Sequence, residues 1–477
     1  MNGPGRGNVL FSHLQQPMSE LLVPTTRRQF LKTTGQITAA SALAGVMLPA
    51  VHAADGGTTD IALIGCGGRG SGAAGNALAT KGGSVRLTAM ADVFDAKLKN
   101  SYGGLKGKYR DLVDVKEDAK FIGFDGYKKA MDMLKPGDIA ILATPPAFRW
   151  VHFKYAIEKG LNVFMEKPIC VDAPTGRRMI ELAEQARAKN LKVGVGLMVR
   201  HCRGRQALFE KLREGAIGDI VAMRGYRMHP PVASAFTDPS MRKPGMSEVL
   251  FQISRFHSFL WASGGLFSDF YIHQIDELCW MKDKWPVKCH AVGGRHYRGE
   301  NIDQNFDVYQ VEYTFDDGTK FFWYGRTMPG VKDEFSSIVH GAKGMATVSL
   351  GGHGLGRAGR IFKGHNIKSE DQVWAAFPKG DAPDPYQAEW QDLVDAIRGN
   401  KPYNEVERSA LASMVTSMGR FAAHTGQEVT WEEYSKSDLE LAPNVDKLTL
   451  DGPAPVLADA NGKYPVPMPG KLKDREY

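Results

Sequence analysis

The sequence has few cysteines, little net charge for its size and, beyond its first fifty residues, no long apolar run. Each scarcity excludes something. The cysteines are Cys66, Cys170, Cys202, Cys279 and Cys289, an odd number at spacings that match no metal site. They read as buried or incidental thiols, and neither a disulfide scaffold nor a bound metal is expected. The net charge of +7 falls to +4 when residues 1–53 are set aside, which removes Arg6, Arg27, Arg28 and Lys32 against Glu20. Spread over a chain of this size, that excess is no basic footprint for nucleic acid. No internal repeat and no low-complexity segment is present. The 43% hydrophobic and 24% charged content excludes a disordered or collagen-like chain. A length of 477 residues leaves room for two or three domains.

The apolar run that does occur follows Thr26-Arg27-Arg28-Gln29-Phe30-Leu31-Lys32, which reads as a twin-arginine export motif. The run is rich in Ala and Gly and too short to span a bilayer well. It ends in Val51-His52-Ala53, a small-residue cleavage pattern. Residues 1–53 are therefore expected to be a signal peptide handled by the twin-arginine translocation machinery. The mature protein is expected to be periplasmic or otherwise exported, without membrane attachment. That route carries chains already folded, often around a cofactor.

Residues 54–200 alternate short apolar runs with helical patterns. Strands are predicted at Asp60–Ile64, Val85–Ala91, Asp138–Ala143, Leu161–Phe164 and Lys192–Leu197, with amphipathic stretches such as 150–159 and 173–189 between them. Such alternation predicts an α/β Rossmann domain, a doubly wound parallel sheet. From about residue 201 to 440 the pattern turns β-rich, with one inserted helix near 268–281, and predicts an α+β domain with an open, mostly antiparallel sheet. Residues 351–383 read as an irregular excursion and 441–477 as a tail.

Gly65-Cys66-Gly67-Gly68-Arg69-Gly70 follows the first predicted strand directly and opens a helix. In that context the glycines serve a tight turn, close approach of a pyrophosphate, and close helix–sheet packing. Asp92 ends the second strand, about 20 residues on, where a carboxylate can bind adenosine ribose hydroxyls and favour NAD over NADP. Arg69 complicates that preference, since a guanidinium there could reach a 2′-phosphate. Thr144-Pro145 and Glu166-Lys167-Pro168 fall after later strands, at the ligand-binding edge of such a sheet. Lys167 could bind the oxygen of a reacting alcohol and stabilise a developing alkoxide. Gly264-Gly265 precedes a helix on which Asp269 and His273 share a face, with Asp276 one turn further. His273 suits proton abstraction near neutral pH. Arg200, Tyr271 and Asp276 are further candidates for touching substrate. His229, Arg255 and His257 lie in a long stretch that could wall the pocket.

Taken together, the glycine loop, Thr144-Pro145 with His152, Glu166-Lys167-Pro168 and the helix of Asp269 and His273 resemble the glucose–fructose oxidoreductase, inositol dehydrogenase and MocA family, over roughly residues 59–425. The resemblance implies a cofactor site at Gly65, Gly67, Gly68, Arg69, Gly70, Asp92, Thr144, Pro145, His152, Glu166 and Lys167. It implies that His273 takes a hydroxyl proton while hydride leaves for the nicotinamide, that Asp269 binds substrate hydroxyls or supports His273, and that Lys167 assists. An NAD(P)-dependent oxidoreductase acting on a sugar, glycoside or polyol CH–OH group follows, with NAD, or NADP, held tightly and recycled in place. It further implies a homo-dimer or homo-tetramer. Two other readings stand beside it. One is an NAD-dependent glycoside hydrolase or lyase that works by transient oxidation and elimination. The other is a non-catalytic sugar- or partner-binding descendant.

Overall fold

Strands β1 (Thr59–Ile64), β2 (Val85–Asp92), β3 (Lys120–Ile122), β4 (Ile139–Leu142), β5 (Asn162–Met165) and β6 (Val193–Val195) build the first sheet. In the computed structural model, which describes residues 57–353, 359–377 and 383–477, they lie in the order β3-β2-β1-β4-β5-β6 and every pairing is parallel. The signal peptide expected at residues 1–53 falls outside the described residues. All four residues of β4 and of β5 are buried, as expected for strands covered on both faces by crossover helices. The strand order reverses between β1 and β4, which opens a crevice beyond their carboxyl ends. The Ala143 amide donates to the Ile64 carbonyl at 2.8 Å and fixes the crevice floor.

A nine-stranded second sheet runs β14-β13-β12-β11-β7-β10-β9-β8-β15. Its members are β7 (Ile220–His229), β8 (Lys288–Gly294), β9 (Val308–Thr314), β10 (Lys320–Thr327), β11 (Glu334–Gly341), β12 (Gly344–Leu350), β13 (Arg360–Lys363), β14 (Gln372–Ala375) and β15 (Val429–Thr430). The β7–β10 pair is parallel and the others are antiparallel. The stretch 351–383, expected to be irregular, supplies β13 and β14 at one edge. They are four residues each and border Gly- and Lys-rich sequence, so no alternation of useful length marks them.

The helix Gly265–Lys282 lies against this sheet, and 15 of its 18 residues are buried. It is not apolar all round, so its polar side chains need partners inside the protein. Arg200 meets Asp276 at 2.7 Å and Arg205 meets Glu277 at 2.9 Å. Gln274 donates to the Tyr226 and Ser336 carbonyls, and Arg420 donates to Ser268. The last residues pack back on the body. The Leu441 amide donates to Asp172, while Ala442, Val445, Ala454, Val456 and Tyr464 share an apolar cluster with Phe148, Phe251, Phe259 and Trp261. No described helix is long and apolar enough to cross a membrane.

Candidate functional site

The glycine loop joins β1 to the helix Gly68–Leu78. Gly65 has φ +95°, and a Cβ there would stand 2.6 Å from the Ala143 carbonyl carbon. A Cβ at Gly70 would fall 1.9 Å from the Gly65 carbonyl oxygen. Only glycine satisfies both positions. Cβ atoms added at Gly67 or Gly68 would meet nothing within 4 Å, so backbone faces open space at the helix N-terminus. That is a cradle for a phosphate group.

The loop forms one end of a cleft of about 360 Å³. Asp92 lines the cleft and also braces the loop. Its Oδ2 accepts from the Cys66 amide at 2.7 Å and its Oδ1 from the Phe94 amide at 2.9 Å. Burial pushes the Asp92 carboxyl up, against these amide donors and Lys97. Phe94, Phe124 and Tyr127 line the cleft on this side and offer flat apolar walls. Arg69 also lines the cleft, with its guanidinium engaged. It donates to Glu166 from Nε at 3.0 Å and Nη2 at 2.7 Å, and its guanidinium lies 4.7 Å from the Tyr386 ring centre. The Glu166 pair therefore occupies the guanidinium that could have contradicted a preference for NAD.

After β4, Thr144 and Pro145 line the same cleft. Thr144 Oγ1 is 3.2 Å from His152 Nδ1. Burial, then the charge of Arg149, holds His152 down at about 3, so its ring is neutral. Arg149 is fully buried and donates to the Leu142 and Thr144 carbonyls, which fixes this turn. After β5, Glu166 sits against Gly196, where any Cβ would lie 2.8 Å from Oε2.

Lys167 crosses to the second domain. Its Nζ donates to the Asp269 carbonyl at 2.6 Å and is 3.6 Å from Asp269 Oδ2. His257 Nε2 stands 3.2 Å from the same oxygen, and its Nδ1 is 2.7 Å from Ser234 Oγ. Burial alone would raise the Asp269 carboxyl, but the charges of Lys167 and His257 overrule it and hold the group at about 2. His273 is 7% exposed and makes no hydrogen bond among the described residues; its Nδ1 is buried without a partner. Its ring centre is 4.7 Å from that of His353. Burial, followed by the charges of Lys167, His353 and Arg227, keeps His273 well below the usual histidine range. It is a neutral imidazole with a free nitrogen in a dry, positively charged surround.

Three sequence candidates stand elsewhere. Arg200 and Asp276 saturate one another through two hydrogen bonds at 2.8 and 2.7 Å, so Asp276 does not orient His273. Tyr271 is 0% exposed and packs against Gly325 of β10, on the sheet side of its helix. His257, which carried no motif, contacts Asp269 and lines the cleft with Ile253 and Phe256. Twelve residues separate it from Asp269, so no helical spacing announces the pair.

A depressed His273 has a kinetic signature. The neutral form is the proton acceptor, and a lowered value keeps it neutral as pH falls. With His273 as base, kcat/KM should stay flat from pH 8 to below about 6, without the acid limb that an ordinary imidazole near 6.5 would give. A limb at the ordinary value would remove His273 from that role.

Residues 59–196 match the family model described as "Oxidoreductase family, NAD-binding Rossmann fold". The chain is similar to the rhizopine catabolism protein MocA of Rhizobium meliloti, 22% identical over 299 residues, which cover 61% of this chain and 78% of that one. It is similar to inositol 2-dehydrogenase of Serratia proteamaculans, 29% identical over 181 residues, covering 38% and 44% respectively. Its fold resembles aldose–aldose oxidoreductase from Caulobacter crescentus, with a TM-score of 0.59 at 16% identity, covering 78% of this chain and 100% of that one. It also resembles scyllo-inositol dehydrogenase from Lactobacillus casei with bound NAD(H) and scyllo-inositol, with a TM-score of 0.55 at 19% identity, covering 78% and 99%. The glycine cradle, the acid at the end of β2 and the strand order agree with that match, and the parallel sheet of residues 59–196 is similar to the NAD-binding Rossmann fold of the GFO/IDH/MocA oxidoreductases.

Proposed function

We propose that the protein oxidises a CH–OH group of a sugar, glycoside or polyol, with NAD retained in the cleft and recycled there by a second, carbonyl-bearing substrate that takes up the hydride and a proton and leaves as an alcohol. The observation that carries this reading is the contact of Lys167 with Asp269 at the wall of a dinucleotide cleft, with His273, its Nδ1 buried and unpartnered, one helical turn beyond Asp269. Bound NAD supplies an acceptor for hydride from the carbinol carbon. The rest is the work of the chain's own side chains. His273 takes the hydroxyl proton. The Lys167 ammonium donates to the same oxygen as it gains negative character, and the carboxylate of Asp269 holds that ammonium in place. Arg69 and Glu166 order the turn that carries Lys167. Ile253, Phe256 and His257 help close the cleft from the other domain and keep water away from the reacting carbon.

Retention follows from the same closure and suits a chain we read as exported through its twin-arginine segment, where free nicotinamide cofactor is not replenished. We assign self-association to the outer face of the second sheet, where Tyr226 and Tyr324 stack with ring centres 5.0 Å apart.

The test is to purify the protein without added cofactor, denature it and identify the released nucleotide by mass spectrometry. Stoichiometric NAD is expected, and Asp92→Ala should lower that content. A protein that neither carries nor binds NAD or NADP would end the reading. With nucleotide present, net oxidation of a polyol or aldose supports the dehydrogenase. Release of free sugar from a glycoside, without net oxidation, would replace it with elimination chemistry. Light scattering on the same preparation should show a dimer or tetramer; a monomer would remove the sheet-face assignment.

A further inference from the structure

Beside the helix that carries Asp269 and His273, Arg227 holds a positive charge that no carboxylate among the described residues pairs. Arg227 lies near the carboxyl end of β7, paired with Phe335 across the sheet. It shares a face with Gly225, which touches Leu278 of the helix Gly265–Lys282. Its guanidinium packs between the rings of Phe270 and Phe335, 5.6 and 4.9 Å from their centres. Nη1 donates to the Phe270 carbonyl at 3.1 Å and stands 3.4 Å from His353 Nε2. Lys167 holds the carbonyl of the preceding residue, Asp269, so the two cations grip consecutive carbonyls of one helical turn.

The acids nearby are already committed. Asp269 serves Lys167 and His257, Glu277 serves Arg205 and Ser349, and Asp276 serves Arg200. Among the described residues no ion pair includes Arg227. Its Nε is buried without a partner, as are Nδ1 of His273 and Nδ1 of His353. Both rings lie against the guanidinium, and neither gives its Nε a hydrogen-bond acceptor. Arg227 is partly buried and its Nε is shielded from solvent; a half-desolvated charge without a counter-ion is costly, and a ligand that supplies the counter-ion lowers that cost.

We propose that the substrate is a sugar acid whose carboxylate is bound by Arg227 and His353, while its reacting carbinol lies between Lys167 and His273. This rests on the dehydrogenase reading above and narrows its substrate class. A planar carboxylate carries one negative charge and fits the fork of a guanidinium. A phosphomonoester brings a second charge that Arg227 alone does not match. A neutral polyol can accept hydrogen bonds there but leaves Arg227 uncompensated.

The test uses the protein loaded with NAD and follows reduction of the bound nicotinamide by its fluorescence. Galacturonate and glucuronate are compared with their uncharged amides, with galactose and glucose, and with the 6-phosphates. The uronates should exceed their amides by about 100-fold in kcat/KM, the worth of a charge-assisted hydrogen bond in a dry site. Arg227→Gln should erase that ratio through KM, and Arg227→Lys should keep part of it. Because the amides are compared in unmodified protein, the result does not depend on how a variant folds. Equal turnover of acid and amide, or a preference for neutral sugar, overturns the carboxylate site and leaves the dehydrogenase intact. Preference for a 6-phosphate also overturns it. Failure of every compound to bind by calorimetry or to reduce the nucleotide overturns both readings.

Discussion

His273→Ala lowers kcat/KM by about 10²–10⁴-fold, the usual worth of a positioned general base, and leaves the bound nucleotide in place. His273 is absent from the glycine cradle and from the walls that Phe94, Phe124 and Tyr127 provide, so cofactor content should not change. Lys167→Ala lowers kcat/KM by about 10²–10³-fold, the range for removing one preorganised donor to a developing oxyanion. It carries a second signature. Asp269 then loses the cation that lowers it most, and burial, still opposed by His257, moves its carboxyl upward. Activity remaining in Lys167→Ala should therefore fall on the acid side of a pH profile where the unmodified protein is flat. Steady-state kinetics with circular dichroism on the same samples separates loss of chemistry from loss of fold. Unmodified rates in either variant would remove the residue from the site.

Glu476→Ala destabilises the protein by about 3–5 kcal/mol, the cost of breaking a buried ion pair from one side. Arg420 and Glu476 are 0% and 2% exposed and share two hydrogen bonds at 2.8 and 2.7 Å. His424 Nδ1 lies 2.6 Å from the same carboxylate. Arg420 also donates to the Val171 carbonyl, the Gly264 carbonyl and Ser268. One guanidinium thus ties the segment after Lys167, the start of the Asp269–His273 helix and the last residues of the chain. Burial would raise the Glu476 carboxyl, but Arg420 and His424 bring it down to about 2. Its contribution is therefore full above the ordinary carboxylate value near 4.3 and is lost as pH falls toward 2. Denaturant melts at pH 7 and pH 3 check both statements. A variant as stable as the parent at pH 7 would show that the pair is not a staple.

The features legible in sequence are those in which local sterics or period leave one solution. Gly65 and Gly70 are glycine because backbone occupies the space of a Cβ, and the βαβ pattern declares the parallel sheet around them. Asp269 and His273 announce themselves by helical spacing. Long-range partners did not announce themselves. Arg149 and Arg420 sit on helices, where a cation is expected to face water, and both are buried because their donors meet carbonyls from distant segments. Asp276 and Arg200 were read as contacts for a ligand, yet each is the other's counter-ion. His257 reaches Asp269 only because the chain folds back between them. Strands β13 and β14 gain their order from the sheet edge they join rather than from their own pattern.

All five cysteines are buried and unpaired. That makes them internal clocks, because an alkylating reagent can reach a thiolate only when its surroundings open. Cys170, Cys202, Cys279 and Cys289 lie within the packed body and time its global opening. Cys66 keeps different time. It is the second residue of the glycine loop, its amide is held by Asp92, and its thiol lies 3.4 Å from the Ala91 carbonyl. Its labelling rate adds the breathing of the nucleotide loop to global opening, so occupancy of the cleft slows this clock by closing the loop, whereas the other four slow only as far as the ligand stabilises the whole fold.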